Sequence, residues 1–173
     1  MASSVLETVS NEFAAAAETS ANNVVAVHAR SWLPTSGIEW KEGVIVSVYH
    51  GVRREEEINV TRADGNTVPA TLVGRDPSTD LAVLRIEKGS ESHAARLGDS
   101  TALKLGHLVL ALGRTRRGEL VAISGIVGGI SGRWKSWTGG RLDQHIWLDL
   151  ALYPRLSGGP LLNWKGEIVG INT

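Results

Sequence analysis

The hydrophobic pattern changes period near residue 22. Upstream, Val5, Leu6, Val9, Phe13 and Ala16 or Ala17 recur at steps of three and four, and Ser3 and Ser4 stand where a helix N-cap belongs. This predicts an amphipathic helix over 3–19, packed on the rest of the protein. Covering one end of a β body is the plainer role for it, and binding a partner or a second copy is the other. After Asn22 the apolar positions gather into short runs rich in Val and Ile, bounded by Gly, Pro, Asp and Asn. The strands expected are 24–30, 43–49, 57–63, 67–75, 81–87, 107–113, 119–130, 144–150, 160–163 and 167–172, at the spacing of an all-β barrel or sandwich. Asp64-Gly65-Asn66 and Trp164-Lys165-Gly166 are turn signals that join two pairs of these runs as hairpins.

Composition adds bounds. The 173 residues, 42% of them hydrophobic, with 20 Gly and 5 Pro, suit one turn-rich β domain with a sizeable core and no second domain. Eighteen basic residues balance eighteen acidic ones, so no global field draws in nucleic acid or an anionic membrane. The run Arg53-Arg54-Glu55-Glu56-Glu57 reads as a solvated edge or loop. Without Cys there are no disulfides and no thiolate metal ligands, and His28, His93, His107 and His145 lack ligand spacing, so no metal is expected. No run approaches the roughly 18–20 apolar residues of a membrane helix. The first twenty residues lack a basic leading segment and carry Glu7, Glu12 and Glu18, so they do not read as a signal peptide. Gly125-Ile126-Val127-Gly128-Gly129-Ile130 lacks the Gly-Lys-Ser/Thr ending of a phosphate loop and reads as a bent strand. Trp134 and Trp137, beside Lys135 and Arg141, form either a peptide- or sugar-contacting surface or packing under a loop.

The candidate chemistry lies in Ser157-Gly158-Gly159-Pro160-Leu161, which follows a turn and enters an apolar strand. A serine alcohol attacks a carbonyl near neutral pH only when a base takes its proton and a third group orients that base. His50 alone among the five histidines follows an apolar strand, Gly43 to Tyr49, and Asp80 opens the strand Leu81-Ala82-Val83-Leu84. The order His, Asp, Ser is one of several in which this constellation occurs. On residue type alone, Asp80 as a turn cap and Ser157 as plain loop remain open.

Taken together, the motifs resemble the protease domain of the HtrA/Deg family of trypsin-like serine proteases over about residues 20 to 173. They are Asn23-Val24-Val25-Ala26-Val27, Ser36-Gly37-Ile38, Gly43 to Ser47 before His50, Asp64-Gly65 through Asp76, Asp80 to Leu84, Gly98-Asp99-Ser100, Leu105-Gly106, Leu110 to Gly113, and Ser157 through Asn172. The resemblance implies an all-β chymotrypsin-like fold of two six-stranded antiparallel barrels with an N-terminal helix, the first barrel over about 20–90 and the second over about 96–173. Their boundary is expected near Lys88 to Ala95. It further implies His50 as general base, Asp80 as its orienting partner and Ser157 as nucleophile, with no cofactor. Ala151, Leu152 and Thr173 correspond to the substrate pocket; the uncharged Ala151 and Leu152 suit aliphatic side chains before the cut. Asp149 stands where the family carries an Asp eight residues before its serine. The partners implied are polypeptide substrates, with homo-oligomers and a following PDZ module in the full-length protein, and the compartment implied is the bacterial periplasm or cell envelope.

The chain departs from the family in two places. The usual Gly-Asn-Ser-Gly-Gly-Pro is Arg155-Leu156-Ser157-Gly158-Gly159-Pro160. The residue two before the nucleophile supplies, with Ser157, the backbone N–H groups of the oxyanion hole, in a conformation that a Cβ makes costly by about 1–2 kcal/mol. Arg155 is therefore expected to favour a flipped peptide. The chain also stops at Thr173, which by the resemblance leaves the second barrel incomplete at its C-terminal end. Two functional readings follow: a serine endopeptidase cleaving unfolded or extended polypeptides, impaired by Arg155 and the missing segment, or a weakly catalytic protease fold that binds peptides as a chaperone or scaffold.

Overall fold

The computed structural model describes residues 4–30, 33–87, 94–136, 139–150 and 153–173. The expected helix is α1 (Val5–Ala21), entered at Ser4, whose hydroxyl accepts from the Glu7 amide at 3.2 Å as an N-cap does. Its apolar stripe is only half used. Phe13, Ala16 and Ala17 pack on the β body, whereas Val5 and Leu6 remain 80% and 81% exposed. Helical period marks a stripe but not how far the surface beneath it extends.

Six strands close an antiparallel barrel in the order β1-β2-β3-β6-β5-β4. They are β1 (Val24–His28), β2 (Thr35–Lys41), β3 (Val44–Val48), β4 (Ile58–Thr61), β5 (Thr67–Asp76) and β6 (Leu81–Ile86). β1 closes the ring against β4, with Val27 opposite Val60. The second half holds β7 (Leu108–Arg114), β8 (Leu120–Ser131), β11 (His145–Leu148), β12 (Pro160–Leu162) and β13 (Ile168–Ile171) in the order β11-β8-β7-β12-β13. It is an open five-stranded half-barrel, in keeping with an incomplete second barrel. A small ribbon of β9 (Trp134–Lys135) and β10 (Arg141–Leu142) stands beside it. Residues 88–93, where most of the expected boundary falls, lie outside the described residues, as does Trp137.

Three strands, β2, β9 and β10, are absent from the sequence-based expectation. In β2 the reason is physical: Thr35, Ser36 and Glu39 are buried, so polar residues occupy positions where the alternation rule expects apolar ones. They are tolerated because each is hydrogen-bonded inside the protein.

The long apolar runs have the opposite explanation. In β1, Val25 and Val27 fill the first barrel, whereas Val24 faces a layer shared with Ile38, Leu110, Leu112 and Leu162. In β7, Leu110 and Leu112 enter that same layer, while Val109 and Ala111 face the interior of the half-barrel with Val127, Leu156 and Leu161. A strand buried on both faces loses its alternation and reads as a continuous apolar run. The shared layer joins the two halves beneath α1.

Arg114, at the end of β7 and 3% exposed, ties this junction together. Its guanidinium donates to the carbonyls of Val24 at 2.5 Å, Ala21 at 2.6 Å and Gly118, linking β1, the end of α1 and the β7–β8 turn. Arg114→Met would leave these acceptors unpaired, and each buried acceptor so left costs about 1–3 kcal/mol. Urea denaturation should therefore show a loss of at least about 2 kcal/mol; an unchanged midpoint would mean that water replaces the guanidinium.

Candidate active site

β3 and β6 are adjacent in register, with Val48 opposite Leu81. The residue pair just beyond them, His50 in the 3-10 turn Tyr49–Gly51 and Asp80 before β6, therefore meets side by side. Asp80 Oδ1 accepts from the His50 backbone N–H at 2.9 Å, and its Oδ2 lies 2.8 Å from His50 Nδ1. The Asp80 carbonyl accepts from the Tyr49 amide at 2.8 Å. Asp80 adopts φ 59, a left-handed conformation that Asp tolerates better than most residues and that this bonding holds in place.

Thr173 completes the carboxylate's surroundings by donating its hydroxyl to Asp80 Oδ2. Burial pushes the Asp80 carboxyl up, but the Thr173 hydroxyl, the His50 amide and the His50 ring together outweigh it and hold the group below its ordinary value. An ionised Asp80 only accepts, so Nδ1 carries the proton and Nε2 is left as the basic nitrogen. The sequence associates Thr173 with a substrate pocket; nothing local in it announces the bond to Asp80.

Ser157 is presented by a different device. Pro154–Leu156 form one 3-10 turn, in which the Leu156 amide donates to the Tyr153 carbonyl at 2.8 Å and the Ser157 amide to the Pro154 carbonyl at 3.3 Å. β2 holds this turn from behind. The Ser157 carbonyl accepts from the Ser36 amide at 2.8 Å and the Thr35 hydroxyl at 2.6 Å, and the Arg155 carbonyl accepts from the Ser36 hydroxyl at 2.7 Å. Ser47 Oγ in turn donates to the Ser36 carbonyl at 2.6 Å, so β3 and β2 support the turn in series. Gly158 follows with φ 85, and a Cβ there would stand 2.1 Å from the Ser36 carbonyl oxygen. The Gly after the serine is thus required by close approach to β2 as well as by its backbone angles.

His50 and Asp80 are joined directly, and β2, which grips the Ser157 turn, pairs with β3, which leads to His50. No hydrogen bond links the His50 and Ser157 side chains among the described residues. Arg155 has no left-handed φ, in accord with the cost of such a conformation for a residue with a Cβ. The Ser157 amide donates to the Pro154 carbonyl, and the Arg155 carbonyl accepts from the Ser36 hydroxyl. Ala151 and Leu152 lie outside the described residues.

Beside Asp80, a groove of about 550 Å³ runs between β11 and β13. Leu148, Leu161, Val169 and Ile171 line it together with Gln144 and His145. Gln144 Oε1 and His145 Nδ1 are buried with no hydrogen-bond partner among the described residues. The His145 ring is stacked on Trp134, centroids 4.9 Å apart, so Trp134 serves at least in packing. The ribbon of β9 and β10 reaches the Asp80 turn, where Ser136 Oγ donates to the Ser78 carbonyl at 2.5 Å.

Comparison with known proteins agrees with this arrangement. A family model described as a trypsin-like peptidase domain matches residues 35–171. The chain is 39% identical over 132 residues to a probable periplasmic serine endoprotease DegP-like of Pseudomonas putida (strain GB-1), covering 76% of this chain and 27% of that protein. It is 37% identical over 141 residues to Protease Do-like 1, chloroplastic, of Arabidopsis thaliana, covering 80% of this chain and 32% of the relative. The chain thus spans about a third or less of these relatives. The crystal structure of Deg5 superposes with a TM-score of 0.82 at 29% identity, covering 95% of this chain and 85% of that one. A closed barrel, an open partner sheet and a matched family model over most of the chain have one common reading: the chain belongs to the trypsin-like peptidase family, as a serine protease domain of the HtrA/Deg type.

Proposed function

We propose that this domain cleaves unfolded or extended polypeptides through an acyl-enzyme, with Ser157 as nucleophile, His50 as base and Asp80 as its anchor. The observation that carries the reading is the doubly bonded His50–Asp80 pair, which leaves Nε2 as the free basic nitrogen. Ser157 Oγ attacks the scissile carbonyl as Nε2 takes its proton, and the imidazolium returns that proton to the leaving amine. Water then repeats the sequence on the acyl group. Asp80, held ionised, stabilises the imidazolium throughout.

The oxyanion needs donors, and the Ser157 amide is engaged by Pro154 in this state. Rotation of the Pro154–Arg155 peptide would remove that carbonyl and turn the Arg155 N–H toward the oxyanion. Substrate binding must supply the work for this rotation, which makes the state described a resting one. The groove beside Asp80, with its apolar walls, suits an extended backbone.

A second reading, a peptide-holding module that cuts poorly, is favoured by the same Pro154 carbonyl. A fluorophosphonate probe discriminates them. Labelling of Ser157 that vanishes in Ser157→Ala supports the protease; an unlabelled protein that still binds a denatured polypeptide supports the holder and overturns the first reading.

A further inference from the structure

Away from His50 and Asp80, one end of the first barrel carries a second polar cavity, of about 240 Å³. His28, the last residue of β1, faces Asn59 of β4 across the sheet, and both line it. Arg30 enters from the β1–β2 connection, Arg54 from the exposed segment before β4, and Arg116 from the β7–β8 turn in the other half of the molecule. Three guanidinium-bearing residues from three separate segments thus share one small space with a single carboxylate, Glu57. Glu57 is held at φ 53, an uncommon conformation for a residue with a Cβ.

Two of these cations, Arg30 and Arg116, come from opposite halves of the molecule. Among the described residues neither Arg30 nor Arg116 has a carboxylate within 4.0 Å. Burial, and then the positive charge of Arg116, depress the pKa of His28, which places the Arg116 field at the cavity wall and keeps the ring neutral at neutral pH. Like charges gathered in a confined space repel, and an anion between them relieves the repulsion. Guanidinium groups present paired N–H donors that match the oxygens of a tetrahedral anion. The cavity is smaller than the roughly 300 Å³ at which drug-sized ligands begin to fit, which points to a small ligand.

We propose that this cavity, walled by Arg30, Arg54 and Arg116 with His28 and Asn59, is a binding site for a phosphate-type dianion, free or as a phosphomonoester. Pro34 also lines it and is followed directly by Thr35, the residue whose hydroxyl holds the Ser157 carbonyl. The site therefore adjoins the support of the nucleophile turn, although the proposal does not depend on that turn's chemistry.

The test is titration of the whole chain at pH 7.5 with inorganic phosphate and, separately, glycerol 2-phosphate, at constant ionic strength because exposed charge is screened by salt. Heat and the His28 ring proton shift are both followed. Saturable binding with a Kd of about 1 mM or tighter is expected. It should weaken about tenfold or more in Arg30→Gln/Arg116→Gln, since paired charge-assisted bonds are lost. It should persist in Arg117→Gln, a neighbouring exposed arginine outside the cavity. Tighter binding of glycerol 2-phosphate would identify the phosphomonoester as the fitting source, and tighter binding of phosphate the free ion. Should the double variant fail to fold, the His28 shift in the unaltered chain decides alone: a saturable shift upholds the site. No saturable shift or heat, or equal affinity in the folded double variant, overturns it.

Discussion

Asp80→Asn is expected to lower the rate of acyl transfer by about 10⁴, the scale seen when a triad's orienting carboxylate is neutralised. The geometry explains why the exchange is severe although shape is preserved. Asp80 Oδ1 accepts from the His50 backbone N–H at 2.9 Å. In the variant that fixed donor retains the amide oxygen, and the NH₂ group must then face both His50 Nδ1 and the Thr173 hydroxyl. A donor opposite Nδ1 moves the ring proton to Nε2, where the base is needed. Rates of fluorophosphonate labelling measure the loss, with circular dichroism checking that the fold persists. A fall of less than about tenfold would remove Asp80 from the orienting role. The same carboxylate also carries a pH signature. Its pKa in the folded protein lies below the ordinary value, so its contribution to stability is present above the ordinary carboxylate range and is lost only as pH falls below about 4. Asp80→Asn should flatten that acid limb of the stability curve.

Arg155→Gly should act in the opposite direction and raise turnover by about tenfold or more, because a missing oxyanion donor costs about 10²–10³. In the present state the Pro154 carbonyl occupies the Ser157 amide. A Gly at 155 removes the Cβ cost of the productive conformation, about 1–2 kcal/mol, and lets the Pro154–Arg155 peptide turn its N–H toward the oxyanion. Binding of an extended peptide should change little, so the gain should appear in kcat rather than KM. Ser157→Ala on top of Arg155→Gly must abolish it, which ties the increase to acyl transfer. A variant no faster than the parent would show that the Arg155 side chain does not hold the turn closed, leaving the Ser36 bond to the 155 carbonyl as the restraint.

Local chemistry made much of this legible in the chain. A helix after Ser4, ten of the thirteen strands among the described residues and the turns at Gly65 and Gly166 all follow from period, capping and turn residues, which act within a few residues of themselves. His50, Asp80 and Ser157 stand out as candidates because a strand end followed by a reactive side chain is a sequence-local feature. β2 was hidden for the opposite reason. Its buried Thr35 and Ser36 are stabilised by the carbonyls of Ser157 and Arg155, about 120 residues away in the chain, and no window along the sequence contains both sides of those bonds.

The same separation divides the site itself. The identity of the reactive side chains and the cost of a Cβ at Arg155 belong to residue chemistry and are carried by the chain alone, whereas Gly at 158 is also demanded by its approach to the Ser36 carbonyl. Which groups surround the reactive side chains is not carried in that way. The Thr173 hydroxyl meets Asp80 across 93 positions, Arg114 gathers carbonyls from α1 and β1 90 or more residues earlier, and Thr35 and Ser36 of β2 hold the Ser157 and Arg155 carbonyls about 120 residues later. These contacts exist only once barrel closure has brought distant strands into register, since hydrogen bonds and burial act over a few ångströms in space, whatever the separation along the backbone.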